Sequence, residues 1–257
     1  MNYRTLKAGE TDPTLGKVIK AVILTSNTFI VYMDDEDVIQ WSTEDHTTWG
    51  DNFGKIQNKV SYWESICNRL FNKREAYDYK TLLAEAYARM LDEGDDAAAL
   101  DIIDQTITRI QKQGKEILRQ QYIISSLITA IVVIIVLVAS VVNKKYLLQF
   151  IDYDAYRVFL TGLFGGVGAF VSTMIRARNY EAEITLGKSV HRLDGFMRII
   201  YGLIAGSIIS LGIKSNIIFG FIKDAGKNTF IEIFVGIIGG ASEVLLPNII
   251  KKVENKS

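Results

Sequence analysis

The sequence predicts an α-helical membrane protein with four transmembrane helices and an N-terminal cytosolic α+β domain. Three observations carry this reading. Residues 122–142 (YIISSLITAIVVIIVLVASVV) run for 21 positions without a charge, a glycine or a proline. At about 1.5 Å per residue, a helix of that length matches the ~30 Å hydrocarbon core of a bilayer. Before this run the chain mixes charged and apolar residues as a water-soluble domain does; after it come three more apolar runs, at about 158–175, 199–213 or slightly longer, and 229–250.

The chain has 257 residues with 29 basic and 29 acidic side chains, so no bulk field favours nucleic acid, and none is expected as a partner. Cys67 is the only cysteine, which excludes an intrachain disulfide. Residues 1–10 are polar, and the apolar run 18–33 is interrupted by Lys20, Thr25, Ser26 and Asn27, unlike a signal peptide. The run 122–142 is therefore expected to act as the insertion signal and residues 1–112 to remain in the cytosol.

Within that domain, 17–24 (KVIKAVIL) and 28–33 (TFIVYM) are rich in β-branched and aromatic residues and flank Thr25-Ser26-Asn27, which predicts a β-hairpin. Asp34-Asp35-Glu36-Asp37 makes the next turn and 38–41 (VIQW) a third strand. The acidic turn lacks the glycine and distal glutamate of a calcium loop and reads as a solvated turn. Residues 43–52 are polar and hold His46 and Trp49 in a loop. From Phe53 to Asn72, Ile56, Val60, Trp63, Ile66, Cys67, Leu70 and Phe71 recur every three or four positions, the stripe of an amphipathic helix.

Residues 79–91 and 96–111 form a helical hairpin around Glu93-Gly94-Asp95. The run Gly94-Asp95-Asp96-Ala97-Ala98-Ala99-Leu100 resembles the turn and second helix of a tetratricopeptide repeat, although Tyr87 lies about one turn from the place that pattern gives it. A lone unit forms no superhelical groove. Residues 113–121 are a juxtamembrane helix or linker. Either the second helix continues through Gly114 as a rod of roughly 69 Å, or it breaks there.

In the membrane half, Tyr146, Tyr153 and Tyr156 in the segment 143–157 are of the aromatic type that settles at membrane interfaces. With the N-terminus inside, 12 Lys and Arg lie in the inner segments and 6 in the outer ones. The positive-inside rule then places both termini in the cytosol of a multi-pass inner (plasma) membrane protein. The later spans share a spacing of small residues: Gly162 and Gly166, Gly202 and Gly206, Gly236 and Gly240. This spacing lets helices approach closely where packing, rather than hydrophobic burial, drives association.

The fourth span carries Glu232 and Glu243, which stand about 20° apart around a helix, on the face of Gly236 and Gly239. Carboxylates inside a membrane need a partner charge or an aqueous path. Two arrangements satisfy the pair: a ring of carboxylates around the axis of a homo-oligomer, or a static pairing of Glu243 with Arg176, with Glu232 beside Lys227 at the outer interface. Pro247, four residues after Glu243, is expected to kink the helix end.

The run Gly239–Ile249 (GGASEVLLPNI) and the earlier Gly-Gly-x-Gly-x-x-x-Ser-x-x-x-Arg of 165–176 resemble C-terminal regions of bacterial membrane proteins. The layout of a small cytosolic domain before four spans resembles the four-helix membrane effectors of antiphage systems. That resemblance covers the second half of the chain and implies a membrane part that perturbs or permeabilises the bilayer when the soluble part is triggered. The expected function is such an effector, with the bilayer, a second copy of the chain and a cytosolic protein or small-molecule trigger as partners. The alternatives are a non-catalytic anchor that docks a cytosolic partner, and a small ion channel or transporter subunit. No metal-ligand cluster, phosphate loop or nucleophile–base spacing is present, so neither an enzyme nor a cofactor or metal is expected.

Overall fold

The structure, a computed structural model, describes residues 3–43, 52–215 and 229–242. The chain divides into two units, Met1–Ile117 and Leu118–Ser257. It is mostly helical, with one three-stranded sheet near the N-terminus.

In the first unit β1 (Ile19–Thr25), β2 (Phe29–Asp34) and β3 (Ile39–Thr43) form an antiparallel meander in that order. All six residues of β2 are buried, as a central strand requires, with Ile30 opposite Ser42 and Val31 opposite Trp41. The acidic turn closes on itself. Asp34 accepts from the amides of Glu36 (3.0 Å) and Val38 (2.8 Å), and Asp37 takes the left-handed conformation at φ 60°. The Asp34 carboxylate thus shapes the turn, while those of Glu36 and Asp37 pair with Lys17 and Lys20. Beneath the sheet Asp12 is fully buried and accepts from the hydroxyls of Tyr32 (2.9 Å) and Ser42 (2.5 Å) and the amide of Thr14 (2.8 Å).

Helices α1 (Phe53–Leu70) and α2 (Lys73–Glu93) pack against this sheet, with Trp41 edge-on to Phe53 and 6.2 Å from Tyr87. Helix α2 starts six residues before the apolar periodicity suggests. Asn72 accepts from the Glu75 amide, and Glu75 reaches back to the Asn72 amide, a capping box that nucleates the helix at Lys73. Gly94, at φ 63°, ends it. Between α1 and α2, Lys80 is 1% exposed, pairs with Glu64 at 3.6 Å and donates to the Asp37 carbonyl.

Helix α3 (Asp96–Val142) is continuous for 47 residues. Of the two readings at Gly114, the unbroken helix is the one observed. Ile103, Thr106, Ile110, Gly114, Leu118, Tyr122, Ser126, Ala130 and Val133 are all buried, so the buried stripe passes through Gly114 without interruption.

The second unit holds the end of α3, a single turn α4 (Lys144–Leu147), α5 (Tyr153–Ala177), α6 (Gly187–Lys214) and α7 (Thr229–Ala241). Three helices, containing α3, α5 and α6, are long and apolar enough to cross a membrane; α7 is apolar but shorter. The 13 described residues of α7 span about 20 Å, against a ~30 Å hydrocarbon core. Residues 243–250 of the expected fourth span lie outside the described residues.

Candidate functional site: a buried ion pair between two apolar helices

The site begins with a helix cap. Asp152 accepts from the amides of Asp154 (3.0 Å) and Ala155 (3.4 Å), so α5 starts at Tyr153 rather than at the apolar run five residues later. That start draws Arg157 out of the expected interfacial segment and into the helix, where it is 5% exposed.

On the same face, one and two turns on, lie Thr161 and Gly165. Helix α7 meets this face in matching steps. Glu232 faces Arg157, a Cβ added at Gly236 would press on Thr161, and one added at Gly240 would strike the Gly165 backbone. The two helices therefore run parallel. Helix α6 crosses α5 in the opposite sense, with Gly162 against Ser207, Gly166 against Leu203, and Gly202 and Gly206 against Gly165. All six glycines singled out by spacing sit at crossings within one chain. Gly168 against Ile237, Gly195 against the Tyr122 carbonyl and Gly239 against Ile209 are three more.

Glu232 is fully buried, and Arg157 Nε lies 2.9 Å from its Oε2. The charges touch, but their hydrogen bonding is incomplete. Among the described residues, both Glu232 oxygens, Arg157 Nε and Nη2, and Ser210 Oγ on α6 are buried without an aligned hydrogen-bond partner. Lys214, at the end of α6, donates to the Asp154 carbonyl at 2.9 Å and pairs with its carboxylate. Tyr153 lays its ring 5.9 Å from the Arg157 guanidinium carbon. One end of the bundle thus holds Asp154, Arg157, Lys214 and Glu232, balanced in charge.

Such a pair is stable only while both members stay together. Removing one leaves a charge stranded in a low-dielectric interior, at a cost of about 3–5 kcal/mol. With incomplete hydrogen bonding among the described residues, the pair gains less than a fully satisfied one.

Glu232 is the predicted site residue the structure brings into this centre, with Arg157 as its partner among the described residues. Glu243 and Pro247 lie outside the described residues, as do Lys227, His46 and Trp49. Arg176 is exposed in the last turn of α5, at the opposite end from Arg157. Arg157 and Ser210 were not singled out by the sequence. The available signal was the Asp152 cap, which moves the start of α5 and puts Arg157 at the depth of Glu232. No group of three or more His, Cys, Asp or Glu able to hold a metal occurs among the described residues. No known family model, no curated protein and no solved structure matches the chain.

Proposed function

We propose that this chain is a membrane effector whose N-terminal unit controls the helical bundle of its second unit, with the Arg157–Glu232 pair as the latch that keeps the bundle closed. The observation that carries the reading is a fully buried carboxylate between two apolar helices, paired with Arg157 and, among the described residues, incompletely hydrogen-bonded. Intramembrane ionisable residues are costly and concentrate where a bundle moves or conducts. A lipid setting is supported by the apolar surface of α3, where Ile128 is 58% and Ile135 62% exposed. The single helix α3 contributes residues to both units and offers a physical link between trigger and output.

Release of the latch would free α7, the shortest apolar helix, and uncover a charged, glycine-lined face in the membrane. The likeness to antiphage membrane effectors supplies the setting: an inner membrane, a cytosolic trigger, and disruption of the bilayer as output. Because the glycine faces are occupied within one chain, a homo-oligomer would assemble through the lipid-facing surfaces of α3 and α6.

Membrane potential and membrane abundance after expression test the latch. Glu232→Gln and Arg157→Gln each strand one charge and should depolarise cells at protein levels where the wild type does not. The double variant, with neither charge, should return towards wild-type behaviour. Single variants with unchanged abundance and unchanged potential would remove the latch from the mechanism.

A further inference from the structure

At the other end of α6, the turn that joins α5 to α6 carries a hydrogen-bonded network unrelated to the ion pair. Tyr180 stacks flat on Tyr122 of α3, with ring centroids 4.2 Å apart and planes 7° from parallel. Its hydroxyl lies 2.7 Å from His191 Nδ1 and 3.2 Å from Asp194 Oδ2. His191 is 2% exposed, and its Nε2 lies 2.9 Å from the Glu183 carbonyl oxygen. Gly187, at φ 76°, lets the chain turn from this loop into α6. Gly195, one turn past His191, holds α6 against the α3 backbone at Tyr122.

Counting protons shows what this network needs. A carbonyl only accepts, so His191 Nε2 carries a hydrogen whatever its charge. In the neutral ring Nδ1 must then accept. Tyr180 has one hydroxyl proton and two acceptors, His191 Nδ1 and the Asp194 carboxylate, and can serve only one. Protonating His191 frees the Tyr180 proton for Asp194, which is exposed and otherwise left to solvent. Nδ1 donates to the Tyr180 oxygen, the Tyr180 hydroxyl donates to Asp194, and every member is satisfied. The positive ring and the negative carboxylate are then joined through the phenol. Burial, followed by the Asp194 charge, holds the Tyr180 hydroxyl's pKa above its ordinary value, so it remains a phenol throughout.

We propose that His191, Tyr180 and Asp194 form a proton-operated clasp: protonation of His191 fastens the α5–α6 turn to α6, and deprotonation loosens it. The titratable and charged groups facing the clasp among the described residues are Asp194 and Arg198 on α6, Tyr180 in the turn and Tyr122 on α3, with the neutral Glu183 carbonyl against Nε2. Imidazole is the side chain whose ordinary charge change falls between about pH 5 and 8, which sets the two pH values of the test. It stands or falls independently of the latch, which occupies the opposite end of α6.

The test uses the full chain in lipid nanodiscs. Histidine ring ¹⁵N spectra read the tautomer and charge of His191, and amide exchange over residues 178–186, corrected for intrinsic pH dependence, reads the turn. The neutral ring should be the Nε2–H tautomer. Protection of the turn should be roughly fivefold greater at about pH 5.5 than at about pH 8, the size of one net hydrogen bond. Tyr180→Phe keeps the stack on Tyr122 but removes the relay, and His191→Gln cannot take the charge; both should abolish the pH response. A neutral Nδ1–H tautomer, no response in the wild type, or a wild-type response in either variant overturns the clasp. If both variants misfold, the wild-type tautomer and response decide alone.

Discussion

A charge buried in a protein is governed by what stands opposite it, and three carboxylates here meet three different answers. Asp12 is held by two hydroxyls and an amide, Glu232 by an arginine without aligned hydrogen bonds, and Glu64 by Lys80 and the Ile39 amide at 2.9 Å. For Glu64, burial outweighs both partners and raises the carboxyl's pKa above the ordinary glutamate value. The folded state therefore holds this proton more tightly than the unfolded one, so the group's contribution is fullest at acid pH and is lost as pH rises through the folded value. Glu64→Gln keeps the Ile39 acceptor and removes the titration. The stability of wild type relative to Glu64→Gln should fall as pH climbs from the ordinary glutamate range, read by chemical denaturation of the full chain with Trp fluorescence. A difference independent of pH would refute that account. At this scale the sequence shows Glu232, because a lone acid in an apolar run is conspicuous. It hides Arg157, because a charge next to the run looks like its boundary until the Asp152 cap is seen.

Glycine does different work in different elements, and the surroundings of an added methyl separate the cases. At Gly206 a Cβ would fall 2.7 Å from the Thr161 carbonyl and 3.1 Å from Gly165 Cα, backbone atoms that cannot swing aside. At Gly54, in the first turn of α1, it would meet nothing within 4 Å among the described residues. Gly206→Ala should then destabilise the α5–α6 crossing by about 1–3 kcal/mol, whereas Gly54→Ala should be neutral or stabilise α1 by roughly 0.5–1 kcal/mol. Thermal unfolding in detergent compares the two; equal effects would mean that the crossing is not glycine-limited. The small-residue spacing makes these crossings legible, since close helix approach has few other solutions. What it omits is the partner. Spacing cannot distinguish a neighbour in the same chain from one in another copy, and here α5, α6 and α7 supply one another. The helix starts at Lys73 and Tyr153 were missed for a shared reason: both are set by the polar caps Asn72 and Asp152, which apolar periodicity does not register.

For the molecule as a whole, the helix directions and the charge asymmetry make separate claims about the same positions. Tyr156 at the start of α5 donates to the Ser140 carbonyl near the end of α3 (3.3 Å), and Lys214 at the end of α6 reaches Asp154. The end of α3, the start of α5 and the end of α6 therefore share one side of the second unit, and the start of α6 lies on the other. Exposed Lys145 belongs to the first side and exposed Ser189 to the second. Which side faces the cytosol rests on the 12-to-6 distribution of Lys and Arg. Single cysteines at these positions, in a Cys67→Ser background, separate the two claims. Cys67 is fully buried and its thiol pKa is pushed up to about 12 by burial, so it contributes little background labelling even where the replacement is incomplete. A membrane-impermeant maleimide applied to intact cells should label Lys145→Cys and spare Ser189→Cys until the membrane is opened. Labelling of both from outside would contradict the antiparallel course of α5 and α6. Labelling of Ser189→Cys alone would leave the bundle intact but invert it, placing the His191 clasp outside and the Arg157–Glu232 pair at the cytosolic face.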